Sequence, residues 1–238
     1  MEVKPVDHVV WKPSVALVVA GVSAAGFSLL ALAVVSHGVW LQRVDEAISE
    51  AAHDFALGHP GWLGAMRAIT VTGSTAVLGP ATVFMCAVLV QRRMRRHALF
   101  AAVATLATLI LRLILLGVIA RPRPVDRLAA AGSWSFPSGH STASATFAVV
   151  LALVCRRRWV TVGAGTWAVM VGVSRVALVV HWPSDVLGAW LFVLTVVPVV
   201  GVVVDGLYRP VNSAVRQSVL RPAGEPGTAP GGDGADDL

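Results

Sequence analysis

Hydrophobic residues in this chain fall into long uninterrupted stretches, and the polar residues are gathered in the short segments between them. Six stretches come close to the length of about 20 residues that a helix needs to cross a bilayer. None alternates between apolar and polar positions as the strands of a membrane barrel do. The pattern predicts an all-α membrane protein with about six transmembrane helices in a bundle. The predicted spans are 14–36, 68–90, 98–119, 138–155, 159–180 and 184–206.

These spans divide the chain into three parts. We expect a cytoplasmic N-terminal segment over residues 1–13, a six-span domain over 14–206 and a cytoplasmic, largely disordered tail over 207–238. The end of the tail is rich in Gly, Pro and Asp and cannot bury a core. Residues 41–57 carry apolar residues at spacings of three and four with acids between them. That spacing predicts a helix on the membrane surface, with a polar loop as the alternative.

Arginine placement predicts how the spans are oriented. Clusters at 92–96 and 156–158 lie between apolar stretches, as in the cytoplasmic loops of membrane proteins. If both clusters are cytoplasmic, the loops 37–67, 120–137 and 181–183 face the other side. We therefore expect a multi-pass protein of the plasma membrane, with any site in those loops at the extracytoplasmic ends of the helices.

Composition supports the membrane class and excludes others. The chain is 56% hydrophobic and 13% charged, whereas soluble domains carry about 25% charged residues. The net charge of +6 comes from loop arginines, so we expect no nucleic-acid partner. Cys86 and Cys155 lie in or at the end of spans and show no disulfide or zinc spacing. No cluster of carboxylates suits a metal, and we expect no metal and no other cofactor.

The first chemical motif is Pro137-Ser138-Gly139-His140, which opens the fourth span. Ser138 suits a helix N-cap, and the free N–H groups of the first turn attract an anion. Gly139 lets a ligand approach the backbone. His140 then stands where it can donate a proton to a leaving oxygen. The alternative is a capped helix with an interfacial histidine.

The second motif places His181 four residues before Asp185 at the start of the last span. Pro183 suits the first position of a helix, which puts Asp185 at the third position. A carboxylate there can turn toward His181, fix its tautomer and raise its basicity. A plain helix cap is the alternative role for Asp185.

Several arginines lie at or inside the spans. Arg175 lies within an apolar stretch and needs an anion, which is either Asp185 or a phosphate. Arg121 and Arg123 follow the third span in a rigid Arg-Pro-Arg-Pro sequence, which favours a fixed site over snorkelling side chains. Arg112 lies deeper in the third span and lacks an obvious partner.

Taken in order, these motifs resemble the type 2 phosphatidic acid phosphatase superfamily, which contains membrane lipid phosphatases and is related to the vanadium haloperoxidases. The resemblance covers roughly residues 40–206. It implies that His181 is the nucleophile and forms a phosphohistidine, that Asp185 orients His181, and that His140 is the general acid. The residues implied to hold the phosphoryl oxygens are Arg123, Arg175, Ser138 and the Gly139 amide.

The sequence departs from the family pattern at one position. The family's first motif has a lysine seven residues before the arginine, and here that position is Leu116. Arg112 lies one helical turn earlier and could reach the site with its longer side chain. Arg121 is the other candidate replacement, so both are further candidates for phosphate binding.

The expected function is metal-independent hydrolysis of the phosphate or pyrophosphate ester of a membrane lipid. Candidate substrates are an isoprenoid pyrophosphate, a phosphatidylglycerol phosphate and a phosphatidate. Two alternatives stay open: a membrane protein that binds a phospholipid without hydrolysing it, and a phosphatase of a soluble phosphate ester. An oxidising vanadium enzyme is disfavoured because those relatives are soluble. The sequence does not indicate an oligomeric state.

Overall fold

The computed structural model describes residues 9, 12–132 and 134–220, with side chains described as far as residue 208. Those residues form eight α-helices and no strand, apart from one isolated bridge between Pro122 and Trp134. The all-α membrane fold expected from the sequence is therefore confirmed. The helices are α1 (Pro13–Val35), α2 (Val39–Gly58), α3 (Pro60–Thr72), α4 (Thr75–Gln91), α5 (Arg95–Ile119), α6 (Gly139–Cys155), α7 (Arg158–Ala177) and α8 (Pro183–Leu220).

Four of the described helices are long and apolar enough to cross a membrane, namely α1, α5, α7 and the Pro183–Tyr208 part of α8. A fifth span results if α3 and α4, which meet at a 40° bend, count as one. Helix α6 is apolar but has only 17 residues. About six spans were expected: four are single helices, a fifth depends on counting the bent pair as one span, and the sixth, α6, is too short by this measure.

The bend lies inside the predicted span 68–90, and its residues explain it. Ser74 caps α4 by accepting a hydrogen bond from the Val77 N–H at 3.4 Å. A side chain on Gly73 would come within 2.3 Å of Val171, so only glycine allows α7 to pack this closely at the break. The single span predicted over 68–90 therefore contains the end of α3 and nearly all of α4, because the apolar sequence gives no sign of the break.

The segment predicted as a surface helix over 41–57 is helical, as α2. Its buried face carries Asp45 and Ser49, while Val44, Ile48 and Phe55 are 43–49% exposed. The apolar stripe seen in the sequence thus points away from the protein, and Asp45 and Ser49 share the inward face with Leu41 and Ala56. Its position on a membrane surface stays a prediction.

The core lies where α8 packs against α1, α5 and α6. Phe100, Val150 and Phe192 are among its buried side chains. Gly188 allows α8 to pack closely against the segment before α6. A Cβ at this position would lie only 2.6 Å from the Phe136 ring, so a larger residue would not fit. This contact fixes the segment before α6 against the first turns of α8.

The ends of the chain are only partly described. Helix α8 continues to Leu220, so the first part of the tail expected over 207–238 is helical. The disorder predicted from residue 221 onward lies outside the described residues, as does most of the N-terminal segment 1–13. Val9 is described, and its N–H donates to the Asp205 carboxylate at 2.8 Å.

Candidate active site

The start of α6, the start of α8 and the loop after α5 meet at one end of the bundle. The Ser138 N–H donates to the Asp185 carbonyl at 3.1 Å, which joins the first turns of α6 and α8. The Trp182 indole N–H donates to the Pro122 carbonyl at 2.9 Å, which holds the loop after α5 against the segment before α8. These contacts bring together motifs that are far apart in the sequence.

His181 lies at the centre of this region and is only 1% exposed. Its Nδ1 is 3.3 Å from Asp185 Oδ2, and its Nε2 is 2.9 Å from Arg123 Nη1. The carboxylate favours the tautomer with the proton on Nδ1, which leaves a lone pair on Nε2. Burial lowers the pKa of His181 to about 4, although the hydrogen bond to Asp185 acts in the opposite direction. The imidazole is therefore neutral at pH 7.

Asp185 is fully buried and held by several donors. Its Oδ2 also accepts from the Trp182 N–H at 2.9 Å, and its Oδ1 accepts from Arg121 Nη1 at 2.8 Å. Helix α8 begins at Pro183, so Asp185 is at the third helical position, as expected. Because so many donors hold it, this carboxylate presents a fixed acceptor to His181.

Arg121, one of the two further candidates for phosphate binding, contacts carboxylates of the protein. Its Nη1 contacts Asp185, and its Nη2 donates to Asp45 Oδ2 at 2.7 Å. The guanidinium also lies over the Trp182 ring, 5.5 Å from its centroid. Both terminal nitrogens are thus engaged by carboxylates of the protein, because α2 brings Asp45 to the site.

Arg123 is fixed by backbone carbonyls. Its Nε donates to the Gly132 carbonyl at 2.7 Å and its Nη1 to the Val180 carbonyl at 2.5 Å. Burial lowers the pKa of Arg123 from its usual high value, but the group stays cationic at neutral pH. A positive charge is thereby held beside His181 Nε2.

Arg175, on α7, is buried and 5% exposed. Its Nη1 donates to Thr70 Oγ1 at 2.7 Å, and its Nε has no hydrogen-bond partner among the described residues. The alternative in which Asp185 neutralises Arg175 does not hold, since within the described residues the cationic partner of that carboxylate is Arg121. A buried arginine without a carboxylate creates a demand for an anionic ligand.

Arg112 reaches this region from inside the third predicted span. Its Nε donates to the Pro137 carbonyl at 3.2 Å. A Cβ on Gly139 would lie 3.1 Å from the guanidinium carbon of Arg112, so the missing side chain of Gly139 provides space for it. Although Arg112 lies one helical turn before Leu116, its longer side chain reaches the start of α6.

Ser138 occupies the N-cap of α6, as expected, but its hydroxyl makes no capping bond and instead accepts from Ser141 Oγ at 3.0 Å. The first N–H groups of α6 are therefore not used up by that hydroxyl. His140 lies in this first turn and is half-buried.

Two residues of the site were missed from the sequence. In the sequence, Asp45 is one of several acids in the first long loop, and Thr70 lies within an apolar stretch. Neither has a local signal, because each acquires its partner only when α2 or α3 packs against distant elements. Within the described residues, no group of three or more His, Cys, Asp or Glu side chains is placed to hold a metal ion.

This arrangement suits a reaction with an anionic electrophile. A neutral imidazole presents a lone pair on Nε2, and Arg123 and Arg175 supply positive charge around it. Helix N–H groups add a partial positive charge at the start of α6. Such a site can bind a phosphoryl group and attack it without a change in protonation of the nucleophile.

Comparison with known proteins agrees with this chemistry. A family model described as the PAP2 superfamily matches residues 97–207. Phosphatidylglycerophosphatase B of Bacillus subtilis (strain 168) is 35% identical over 175 residues, which is 69% of this chain and 84% of that protein. An undecaprenyl-diphosphatase of Sulfolobus acidocaldarius is 40% identical over 70 residues, 29% of this chain and 30% of that protein.

A solved structure is also similar. The crystal structure of a transmembrane PAP2 type phosphatidylglycerolphosphate phosphatase from Bacillus subtilis superposes with a TM-score of 0.69 at 32% identity. The match covers 81% of this chain and 96% of that one.

Proposed function

Because the chain belongs to the PAP2 superfamily, which contains membrane lipid phosphatases, we propose that it hydrolyses a lipid phosphate or pyrophosphate through a phosphohistidine on His181. The observation that carries the proposal is the environment of His181. Asp185 lies at its Nδ1, and the opposite nitrogen lies 2.9 Å from Arg123. A nucleophile needs a lone pair next to the charge that binds its target. Here the Nε2 lone pair accepts a hydrogen bond from Arg123, and it becomes available for attack when Arg123 turns this N–H to a phosphoryl oxygen.

In the proposed first step, His181 Nε2 attacks the phosphorus atom and the bond from phosphorus to the leaving oxygen breaks. His140 donates a proton to that oxygen, so that a lipid phosphate leaves as a neutral alcohol and a lipid pyrophosphate leaves as the lipid monophosphate. Asp185 stabilises the positive charge that forms on His181. In the second step, water gives its proton to His140 and attacks the phosphohistidine, which releases inorganic phosphate and restores both histidines.

We assign the phosphoryl oxygens to Arg123, Arg175, Ser138 and the Gly139 amide. Arg175 supports this assignment because no carboxylate pairs with it among the described residues. We further propose that Arg112 takes the place of the family lysine, whose position is Leu116. Arg121 acts differently, as a holder of Asp185, because both of its terminal nitrogens contact carboxylates.

The proposal requires no metal ion. A phosphoryl transition state needs positive charge around its equatorial oxygens, and magnesium supplies this in many enzymes. Here three arginines, together with the N–H groups at the start of α6, can supply it. Vanadate should inhibit, because it adopts the five-coordinate geometry of that transition state.

A lipid is favoured over a soluble phosphate ester by an apolar cavity beside the site. This cavity of about 430 Å³ lies between α4, α5 and α6 and has Arg112 and Gly139 at one end. Leu78, Val83 and Phe147 line its length. A hydrocarbon chain can occupy it while the phosphate reaches the arginines. Since the relative that matches over most of its length is a phosphatidylglycerophosphatase, phosphatidylglycerol phosphate is the first substrate to test.

We place the site at the extracytoplasmic face of the plasma membrane. Helix α5 begins at Arg95 and ends at Ile119, just before the site arginines. Its 25 residues separate the arginine cluster from the site by about 37 Å. Helix α7 likewise starts at Arg158 and ends beside the site. If positive loops are cytoplasmic, the site faces outward.

The test is phosphate release by purified protein from phosphatidylglycerol phosphate, an isoprenoid pyrophosphate, a phosphatidate and a soluble sugar phosphate, with EDTA present. We expect hydrolysis of at least one lipid, inhibition by vanadate and no activity in His181→Ala. Activity lost in EDTA and restored by magnesium would contradict the metal-independent mechanism. Binding of a phospholipid without any release of phosphate would favour the non-enzymatic alternative.

A further inference from the structure

Asp45 is a buried carboxylate that reaches the site from a helix outside the three sequence motifs. It lies on α2 and is 1% exposed. Its Oδ2 accepts from Arg121 Nη2 at 2.7 Å and from Ser184 Oγ at 2.5 Å. Its Oδ1 accepts from the Ser184 N–H at 3.0 Å. All of these partners are adjacent to Asp185 in space or in sequence.

We propose that Asp45 is a positioning residue for the phosphatase reaction, acting through Arg121 and Ser184 on Asp185 and so on His181. The inference rests on the proposed role of His181 as nucleophile. The hydrogen bonds that Asp45 accepts come from Arg121 and Ser184. Neither of these partners is the nucleophile or one of the residues assigned to the phosphoryl oxygens, so the effect of Asp45 on the reaction is indirect.

The first route runs through Arg121. The Arg121 guanidinium donates a hydrogen bond from Nη2 to Asp45 and another from Nη1 to Asp185. With Asp45 present, the guanidinium is shared by two carboxylates, and Asp185 keeps part of its negative charge for His181. Without Asp45, Arg121 would be free to move toward Asp185 and neutralise it more completely. The positive charge that forms on His181 during attack would then be less stabilised.

The second route runs through the start of α8. The Ser184 N–H belongs to the first turn of α8, where the helix itself offers no acceptor. Asp45 supplies that acceptor from another helix, in the place where a carboxylate is also favoured by the helix dipole. Asp185 follows Ser184 directly, so the same contact fixes the backbone that carries Asp185.

A role in folding alone predicts a different result from a role in positioning. If Asp45 only anchors α2, its loss reduces the amount of folded protein but leaves the turnover of each folded molecule unchanged. Asp45→Asn is a suitable variant because it leaves Arg121 paired with Asp185 and creates no unpaired buried charge. The variant should therefore fold.

The test measures kcat and KM for the best substrate of the panel, per mole of monodisperse protein in one detergent. In Asp45→Asn we expect kcat to fall about 10- to 100-fold, as for a displaced catalytic group. KM should change by no more than about twofold, because no substrate contact is removed. In an Arg121→Gln background, Asp45→Asn should cost clearly less than it does in the wild-type background, because only the route through Ser184 is then left to lose.

Two variants on the same helix serve as controls. Glu50→Gln removes a carboxylate from an exposed position of α2. Ser49→Ala removes a buried hydroxyl that has no hydrogen-bond partner among the described residues, one turn from Asp45. Both should keep wild-type kcat. If Asp45→Asn does not accumulate, Asp45→Glu keeps the charge on a longer side chain, and the same loss in kcat is expected.

An unchanged kcat in the folded Asp45 variant, a rise in KM alone, or losses that multiply with Arg121→Gln would overturn the inference. Failure of the proposed function gives a different result. In that case wild-type protein releases no phosphate from any lipid, or His181→Ala retains activity.

Discussion

The guanidinium of Arg112 occupies the space beside Gly139 that a side chain at that position would need. Arg112 lies on α5 and Gly139 at the start of α6. Because Gly139 has no side chain, the long side chain of Arg112 can pack against the backbone of α6. The pair explains how a chain with leucine at position 116 can still bring a third guanidinium to the start of α6, where we propose that phosphate binds.

Removing Arg112 should therefore weaken catalysis. We expect Arg112→Leu to lower kcat/KM about 10- to 100-fold, the usual value of one hydrogen bond to a charged group. Adding Leu116→Lys to that variant should recover part of the loss by restoring a cation from the neighbouring turn. Arg92→Leu, an exposed arginine at the opposite end of the bundle, is the control. Wild-type kcat/KM in Arg112→Leu would rule out the replacement.

Gly139→Ala tests the same contact from the other side. The new methyl group would lie 3.1 Å from the Arg112 guanidinium carbon, which must shift away. Since that carbon is at the end of a flexible side chain, we expect the protein to fold but to lose about 10-fold in kcat/KM. Gly163→Ala, on α7, where a Cβ meets no atom within 4 Å, should leave kcat/KM unchanged. Equal values for both variants would show that Arg112 does not depend on this space.

Substrates with different leaving groups should distinguish the role of His140 from that of His181. His140→Ala removes the proton donor, so its defect should be large for an alkyl phosphate and small for an aryl phosphate, whose oxygen leaves as a stable anion. General acid catalysis sets the expected gap at about 10²- to 10⁴-fold. His181→Ala removes the attacking atom and should abolish both activities. A phosphohistidine trapped in His181→Ala, or equal losses for both esters in His140→Ala, would reverse the assigned roles.

The buried state of His181 predicts how stability depends on pH. Burial lowers its pKa to about 4, against about 6.5 in an unfolded chain. Between these values the unfolded chain binds a proton that the folded protein excludes, so stability contributed by the neutral side chain is lost as the pH falls from about 6.5 to about 4. The melting temperature of His181→Gln should fall less than that of wild type over this range. His37→Gln, an exposed histidine, should follow wild type.

Topology can be tested with single cysteines in a background of Cys86→Ala and Cys155→Ala. Ala130→Cys lies in the loop that carries the site arginines, and Gln91→Cys lies at the end of α4, and both positions are exposed. We expect an impermeant maleimide to label position 130 in intact cells and position 91 only after the membrane is opened. The reverse pattern would place the site on the cytoplasmic side.

Local sequence signals predicted the residues that stand close together in the chain. Pro183 placed the start of α8, and the four-residue spacing then placed Asp185 beside His181. Ser138 was recognisable as an N-cap because a polar residue preceded an apolar run. Helix starts and contacts between residues four apart depend on a single turn of backbone, so the local sequence is enough to predict them.

Long-range partners could not be predicted in this way. Asp45 and Arg121 are separated by 76 residues, and nothing in the spacing of either links them. Arg121 was expected to meet phosphate because the sequence shows its charge and not its neighbours. The break at Gly73 was also hidden, since its cause is the approach of Val171 from another helix.

Helix α2 turns Asp45 and Ser49 toward the protein and Val44, Ile48 and Phe55 away from it. If the outer face of α2 lies in lipid, the bilayer contacts one side of the helix, while Arg121 and Ser184 contact Asp45 on the other side. The membrane would then be part of the scaffold that aligns the nucleophile as well as the place where the substrate resides. The lipid or detergent around the purified protein would accordingly change the turnover of a site that it does not touch.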